Sequence, residues 1–221
     1  MDIVLFGKPG AGKGTQAPRI AAALGVPTVA TGDMLRAALR AGTPMGLAAK
    51  GYMERGDLVP DEVILGIMKE SLAKDEFAGG SLLDGVVRTT PQAEGMSRVL
   101  AELGRNVDAV LVFDVDDDEL VQRLGSRTVC EMCQTPYTGR QAGERCENCG
   151  GNLIRRKDDE PEAVRNRLAV YQRQTAPVLA WYEQHGTRIA TVNAVGSVDD
   201  VTRRALDALR DAGVGGGEKR R

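Results

Sequence analysis

Near the start of the chain, Gly7-Lys8-Pro9-Gly10-Ala11-Gly12-Lys13-Gly14-Thr15 has the composition and spacing of a phosphate cradle. Glycines let successive backbone N–H groups converge on phosphate oxygens without a side chain in the way. Lys13 adds a mobile cation that can reach the β- and γ-phosphates. A helix opening directly after the loop adds its positive end. In the usual loop Ser or Thr follows the lysine at once; here Gly14 intervenes and Thr15 comes next. The bland alternative is a glycine-rich turn with no ligand. Lysine, spacing and a preceding strand together favour phosphate binding.

A second constellation is Cys130-x2-Cys133 and Cys146-x2-Cys149, with twelve residues between the pairs. Two knuckles of this spacing suit a tetrahedral thiolate zinc site. Two disulfides or a redox CxxC pair are the competing readings. With thiolate at all four positions no coordination site is left for catalysis, so the zinc is expected to be structural. It would staple an insertion too small to hold a core of its own. His185 is assigned to neither metal nor catalysis.

These groups must be placed by a scaffold. Short apolar runs, Asp2–Phe6, Thr28–Ala30, Ser81–Asp84, 109–114 and 188–192, read as strands. Each is followed by a helical pattern: 13–24, 31–40, 91–104, 116–125 and 198–212. Strand-helix alternation predicts an α/β, P-loop three-layer fold with a five-stranded, mainly parallel sheet. Two segments break the alternation: a helical stretch at 31–59 and a Gly-, Cys- and Arg-rich stretch at 127–159. A long helical stretch, 160–184, returns to the body. The expected division is a core of 1–29, 60–121 and 160–221, a helical insertion at 30–59, and a zinc-ribbon-like lid at 122–159. The tail 213–221 is expected to fray.

Composition narrows the function. The 221 residues carry 29 basic and 31 acidic side chains, a net charge of -2. That balance argues against a general nucleic-acid binder. No run approaches the ~18 apolar residues of a membrane span. Met1-Asp2 leads straight into a strand without the basic flank and apolar core of a signal peptide. The expectation is a cytoplasmic monomer without membrane or nucleic-acid partners.

In this order the motifs resemble a known family. Gly7 to Gln16 is similar to the GxPGxGKGTQ loop of nucleoside monophosphate kinases. Thr31-Gly32-Asp33-Met34-Leu35-Arg36 resembles their TGDxLR element. Asp84-Gly85-Val86-Val87-Arg88-Thr89, with Gln92 after it, resembles their DGFPRT…Q element. Arg156-Lys157-Asp158-Asp159 and Val164-Arg165-Asn166-Arg167-Leu168 resemble the end of a lid. Together these resemble the adenylate kinases of the long-lid, zinc-bearing type, from the first residues to about Ala212.

The resemblance implies a role for each of these residues. Gly10, Ala11, Gly12, Lys13, Gly14 and Thr15 would bind ATP, joined by Arg123 and Arg127. Arg36 and Arg88 would clamp the AMP phosphate, near Gly85. Thr31 and Gln92 would hold the adenine, and backbone at Leu58 and Val59 would close that pocket. Arg156 and Arg167 would meet both nucleotides as the lid shuts. Lys13, Arg88, Arg123, Arg156 and Arg167 would be catalytic. Asp33 and Asp84 would hold waters on Mg²⁺; the bland reading of Asp33 is a helix cap. Arginine suits the task because its planar fork donates two hydrogen bonds at once to phosphate.

The activity implied is MgATP + AMP ⇌ 2 ADP by in-line transfer. One departure stands out: Val86-Val87 occupies the place of the family's Phe-Pro, whose peptide bond is typically cis. Without proline a cis bond is disfavoured by about 3 kcal/mol, so a trans bond is expected. AMP affinity is the property this touches most. A kinase for UMP, CMP or GMP, a P-loop hydrolase, and a zinc-knuckle binding module remain as alternative readings.

Overall fold

The computed structural model describes residues 1–214. A five-stranded parallel sheet forms its centre. It is built from β1 (Asp2–Phe6), β2 (Thr28–Ala30), β3 (Ser81–Asp84), β4 (Val107–Asp114) and a last strand, Arg188–Asn193. The order across the sheet is β2, β3, β1, β4, then the last strand. The central strand β1 is buried along its whole length, as a parallel strand covered on both faces must be.

Period-two alternation divides the core in two. Val4, Phe6, Leu83 and Val110 face one layer of helices. Ile3, Leu5, Leu82, Leu111 and Phe113 face the other. The first layer contains α4 (Asp61–Leu72) and α5 (Thr90–Glu102). The second contains α1 (Lys13–Leu24) and α9 (Val198–Asp211).

Helices α2 (Thr31–Arg40) and α3 (Pro44–Arg55) make the helical stretch before α4. Thr43 caps α3 by accepting from Gly46 N at 3.2 Å. Helix α6 (Asp117–Ser126) leads into a small antiparallel sheet of β5 (Arg127–Cys130), β6 (Pro136–Thr138) and β7 (Leu153–Ile154). The stretch expected as one helix over 160–184 is instead α7 (Pro161–Val170), a π turn at Tyr171–Thr175 and α8 (Ala176–Gln184). The final strand is therefore β8 (Arg188–Asn193).

After α9, Val214 is buried and its N–H donates to Leu209 O, so the tail is tied down to that point. The rest of the expected frayed tail, 215–221, lies outside the described residues. No described helix is long and apolar enough to cross a membrane.

Candidate active site

All the strands of the large sheet point their C-terminal ends at one cleft, the edge where α/β sheets collect ligands. Gly7 follows β1, Thr31 follows β2, Asp84 ends β3, and Ala194 follows β8. The loop after β1 needs its glycines. Gly7 has φ +144°, and a Cβ there would sit 2.7 Å from Phe113 O. Gly10 has φ +86°, and a Cβ would strike the Leu124 side chain at 2.9 Å. Helix α1 has no side-chain cap; Thr15 N–H donates to Gly12 O, and the N–H groups of Lys13 and Gly14 remain for a ligand. Lys13 Nζ folds back onto the loop, donating to Gly7 O at 2.6 Å and Lys8 O at 3.0 Å.

The cleft has about 1940 Å³ of space open to solvent. Every cation singled out in the sequence lines it: Lys13, Arg36, Arg88, Arg123, Arg127, Arg156 and Arg167. Crowding and burial show in their acidities. Burial lowers Lys13 to about 8, with Arg88, Arg167 and Arg127 adding repulsion. Arg88 falls to about 10 through burial and the nearby Arg167. Arg156 falls to about 10 through burial and Arg36. A buried group of cations lowered in this way calls for anions of opposite charge. Arg36 Nε and Arg156 Nε are buried without any partner, so donors stand ready for one.

Some of that charge is already balanced. Asp159, 3% exposed, takes Arg127 Nε at 2.7 Å and Arg167 at 3.2 Å. Arg167 also meets Asp158 at 3.2 Å. Burial opposes the Asp158 charge, but Arg167, Arg156 and Arg127 outweigh it and hold its carboxyl below the usual range. Arg123 donates to Glu119 at 2.8 Å and to Ala194 O at 3.0 Å.

A second cavity, about 600 Å³, opens beside the first. Of the expected acceptor residues, Thr31, Arg36, Leu58, Val59, Gly85, Arg88, Gln92 and Arg167 line it; Arg156 lines only the large cleft. Arg36, Arg88 and Arg167 line both cavities, so the two spaces meet at three guanidinium groups. Thr31 Oγ1 donates to Gly85 O at 2.8 Å. The backbone of Arg88 is held from two sides: its N–H donates to Gln92 Oε1 at 2.7 Å, and its carbonyl accepts from Thr175 Oγ1 at 2.9 Å.

The described residues contain no cis peptide bond, so Val86-Val87 is trans as expected. Both valines are buried. Val86 lines the second cavity and Val87 lines the adjoining small space with Lys13, Tyr171 and Thr175.

Of the two candidate acids, Asp33 is half exposed and paired with Arg36. It does not cap α2, whose cap residue is Ala30. Asp84 differs. Burial raises its carboxyl above the usual range against the pull of Lys13 and Arg88. One oxygen lies 3.5 Å from where a Cβ on Gly14 would stand, beside the phosphate loop, and no protein donor among the described residues bonds to it. A half-buried carboxylate with free lone pairs suits a hydrated divalent cation such as Mg²⁺.

The four cysteine sulfurs lie within 4.8 Å of one another. Cys130 and Cys149, 3.4 Å apart, and Cys133 and Cys146, 3.5 Å apart, are thiols and not disulfides. The two knuckles share one backbone design. The residue after each second cysteine is left-handed, Gln134 at φ 61° and Gly150 at φ 75°. Its N–H donates back to the first cysteine's carbonyl, at 3.1 Å and 2.8 Å. Four convergent sulfurs on two matched turns fit a tetrahedral zinc ion.

Sequence reasoning missed part of the cleft wall. Gln134, Tyr137 and Thr138 line it from the segment of the small sheet, and Ala194, Gly196, Ser197, Val198 and Val201 line it from the far side. Tyr137 OH also touches Cys146 Sγ at 3.2 Å, so the cysteine cluster and the cleft share a residue. Position beside a knuckle was the available signal for Gln134 and Tyr137. For the loop after β8 there was none.

A phosphate loop on a parallel sheet, with a second basic cavity sharing its arginines, defines a P-loop protein built for two phosphorylated ligands. The family model described as adenylate kinase matches residues 5–187. An adenylate kinase of Gemmatimonas aurantiaca is 60% identical over 212 residues, 95% of this chain and 99% of that protein. One from a Geobacillus species is 50% identical over 191 residues, 84% of this chain and 88% of its own length. One from a Geobacter species is 44% identical over 215 residues, covering 95% of this chain and all of that protein. The chain belongs to the adenylate kinase family.

Proposed function

We propose that the chain catalyses MgATP + AMP ⇌ 2 ADP, with the large cleft holding ATP and the smaller cavity holding AMP. The observation that carries this reading is the junction of the two spaces at Arg36, Arg88 and Arg167. Two nucleotides bring about six negative charges together, and only a cluster of cations makes that arrangement tolerable.

In the proposed reaction an oxygen of the AMP phosphate attacks the γ-phosphorus of ATP in line. The bond from that phosphorus to the β,γ-bridging oxygen breaks, and both products are ADP. The attacking oxygen is already ionised near neutral pH, so no general base is required. Lys13 exchanges its loop carbonyls for phosphate oxygens and follows the migrating group. Arg88, Arg156 and Arg167 stabilise charge on its equatorial oxygens, while Arg123 and Arg127 hold the donor. Thr31 and Gln92, with Leu58, Val59 and Gly85, hold the acceptor.

Asp84, with Asp33 beyond it, would hold waters of Mg²⁺, which neutralises charge on the triphosphate. Cys130, Cys133, Cys146 and Cys149 would hold zinc that fixes the small sheet. In this reading 1–29, 60–121 and 160–221 form the core, 30–59 the AMP-binding insertion and 122–159 the lid. The insertions close over the cleft to exclude water, the rival acceptor. Lys157–Glu54 at 3.0 Å and Asn166 Nδ2 to Arg55 O at 2.8 Å support such closure, since they join α3 to the segment after the small sheet.

A coupled assay of ADP formation, with AMP varied and then omitted, tests the assignment. ADP should form only with both nucleotides present. Free phosphate released at the same rate without AMP would make the chain a hydrolase instead.

A further inference from the structure

Gln92 is buried to 2% exposure, and its amide is held at both ends by groups with no choice of role. Arg88 N–H, which can only donate, meets Oε1 at 2.7 Å. Asp61, the first residue of α4, meets Nε2 at 2.7 Å, and an ionised carboxylate can only accept. Turning the amide over would set N–H against N–H and carbonyl against carboxylate. The amide therefore has one orientation, fixed by chemistry. Thr89 Oγ1 steadies Asp61 at 3.2 Å and caps α5 by accepting from Gln92 N.

What remains of the amide is one N–H and one lone pair, in a fixed order, for the cavity that Gln92 lines. Adenine offers a matching edge: the ring nitrogen N1 accepts and the 6-amino group donates. Hypoxanthine, on the same ribose phosphate, offers the reverse, with N1–H donating and O6 accepting. A freely turning amide would serve both bases. A locked one serves adenine and leaves the reversed base with two opposed pairs.

We infer that Asp61 is a positioning residue for acceptor specificity, locking the Gln92 amide so that the cavity takes 6-amino purine monophosphates and rejects 6-oxo ones. This rests on the proposed use of that cavity for AMP.

The experiment compares kcat/KM for AMP with that for inosine monophosphate, each with MgATP, in the full-length protein. Asp61→Ala removes the hold on Nε2 and leaves Arg88 N–H as the only one, and the AMP-to-inosine preference is expected to fall about tenfold, mainly through KM. Asp61→Asn keeps the side chain's shape but can donate as well as accept, and is expected to lower the preference about threefold. It carries the test should the alanine variant fail to fold. A merely structural role would lower both activities together and leave their ratio alone. A wild-type protein that phosphorylates AMP, with a ratio unmoved by the substitutions, overturns the inference. A wild-type protein that forms no ADP with AMP overturns the proposed function itself.

Discussion

Thr175 Oγ1 donates to the Arg88 carbonyl at 2.9 Å, across 87 positions of sequence. The π turn at Tyr171–Thr175 places Thr175 there, and the residue is buried. Such turns interrupt helices frequently at functional sites. Arg88 stands in a loop without proline, so its backbone direction depends on this bond and on the one to Gln92. Thr175→Val keeps the shape and removes the donor. It should lower kcat about tenfold, on the order of one lost hydrogen bond in the transition state. Thr175→Ser should restore most of it. Thermal melts of both variants separate mispositioning from unfolding, and equal kcat for all three proteins would refute the role.

Lys13 sets a pH dependence. Its value of about 8 lies below the ordinary 10.5 because burial disfavours the ammonium. Between these two values the unfolded chain holds a proton that the ligand-free fold has shed. The burial penalty is thus felt at neutral pH and relieved as pH rises through about 8. Phosphate binding needs the ammonium, so above that pH binding must take up a proton. ATP affinity should weaken by up to about tenfold per pH unit above 8. Calorimetry at pH 7 and pH 9, in buffers of different ionisation enthalpy, reads the uptake directly. Affinity independent of pH in this range would rule the mechanism out.

Asp159 should stabilise the empty protein more than the loaded one. It is nearly inaccessible, and it pairs with both Arg127 and Arg167. Asp159→Ala leaves Arg127 without its partner and Arg167 with Asp158 alone; breaking a buried pair costs about 3–5 kcal/mol. The melting temperature should drop, and tripolyphosphate should recover much of the loss by supplying the missing charge. A variant that melts like the wild type in phosphate-free buffer would argue against this balance.

Removing the proposed zinc should loosen the segment from β5 to β7. Its own apolar core is Leu153 and two of the cysteines, with Tyr137 against them. So small a core cannot hold a sheet unaided. Chelation with a thiol-reactive chromophore present should expose four thiols and release one zinc per chain. Because Gln134 and Tyr137 also line the cleft, KM for ATP should rise alongside. Four thiols that react at full rate before chelation would count against a bound metal.

Much of this was legible in the sequence because the relevant interactions are local. The phosphate loop, the cysteine knuckles and the strands each announce themselves within a few neighbouring residues. The same holds for Arg36 and Arg88, which sit in short motifs beside strand ends. Contacts between distant segments were not legible. Thr175 reads as one more helical position until the π turn aims it at Arg88. Asp61 reads as a first-turn acid until Gln92 is placed 2.7 Å away. Asp159 is in sequence only part of the motif at 156–159, whereas the fold buries it between two arginines. In each case the missing information was which faces meet, and periodicity does not carry it.

Lys13 already gives two of its three N–H donors to the carbonyls of Gly7 and Lys8. Nucleotide capture at this loop is therefore largely a swap of partners, since only one donor is left to add. The ammonium never dangles, and a ligand must outcompete the loop itself. A weakly charged or poorly aligned anion gains little from that trade. A polyphosphate that reaches the lysine while also meeting the helix end gains a great deal. Selectivity against the cell's small anions is in this way built into the resting conformation, before any nucleotide arrives.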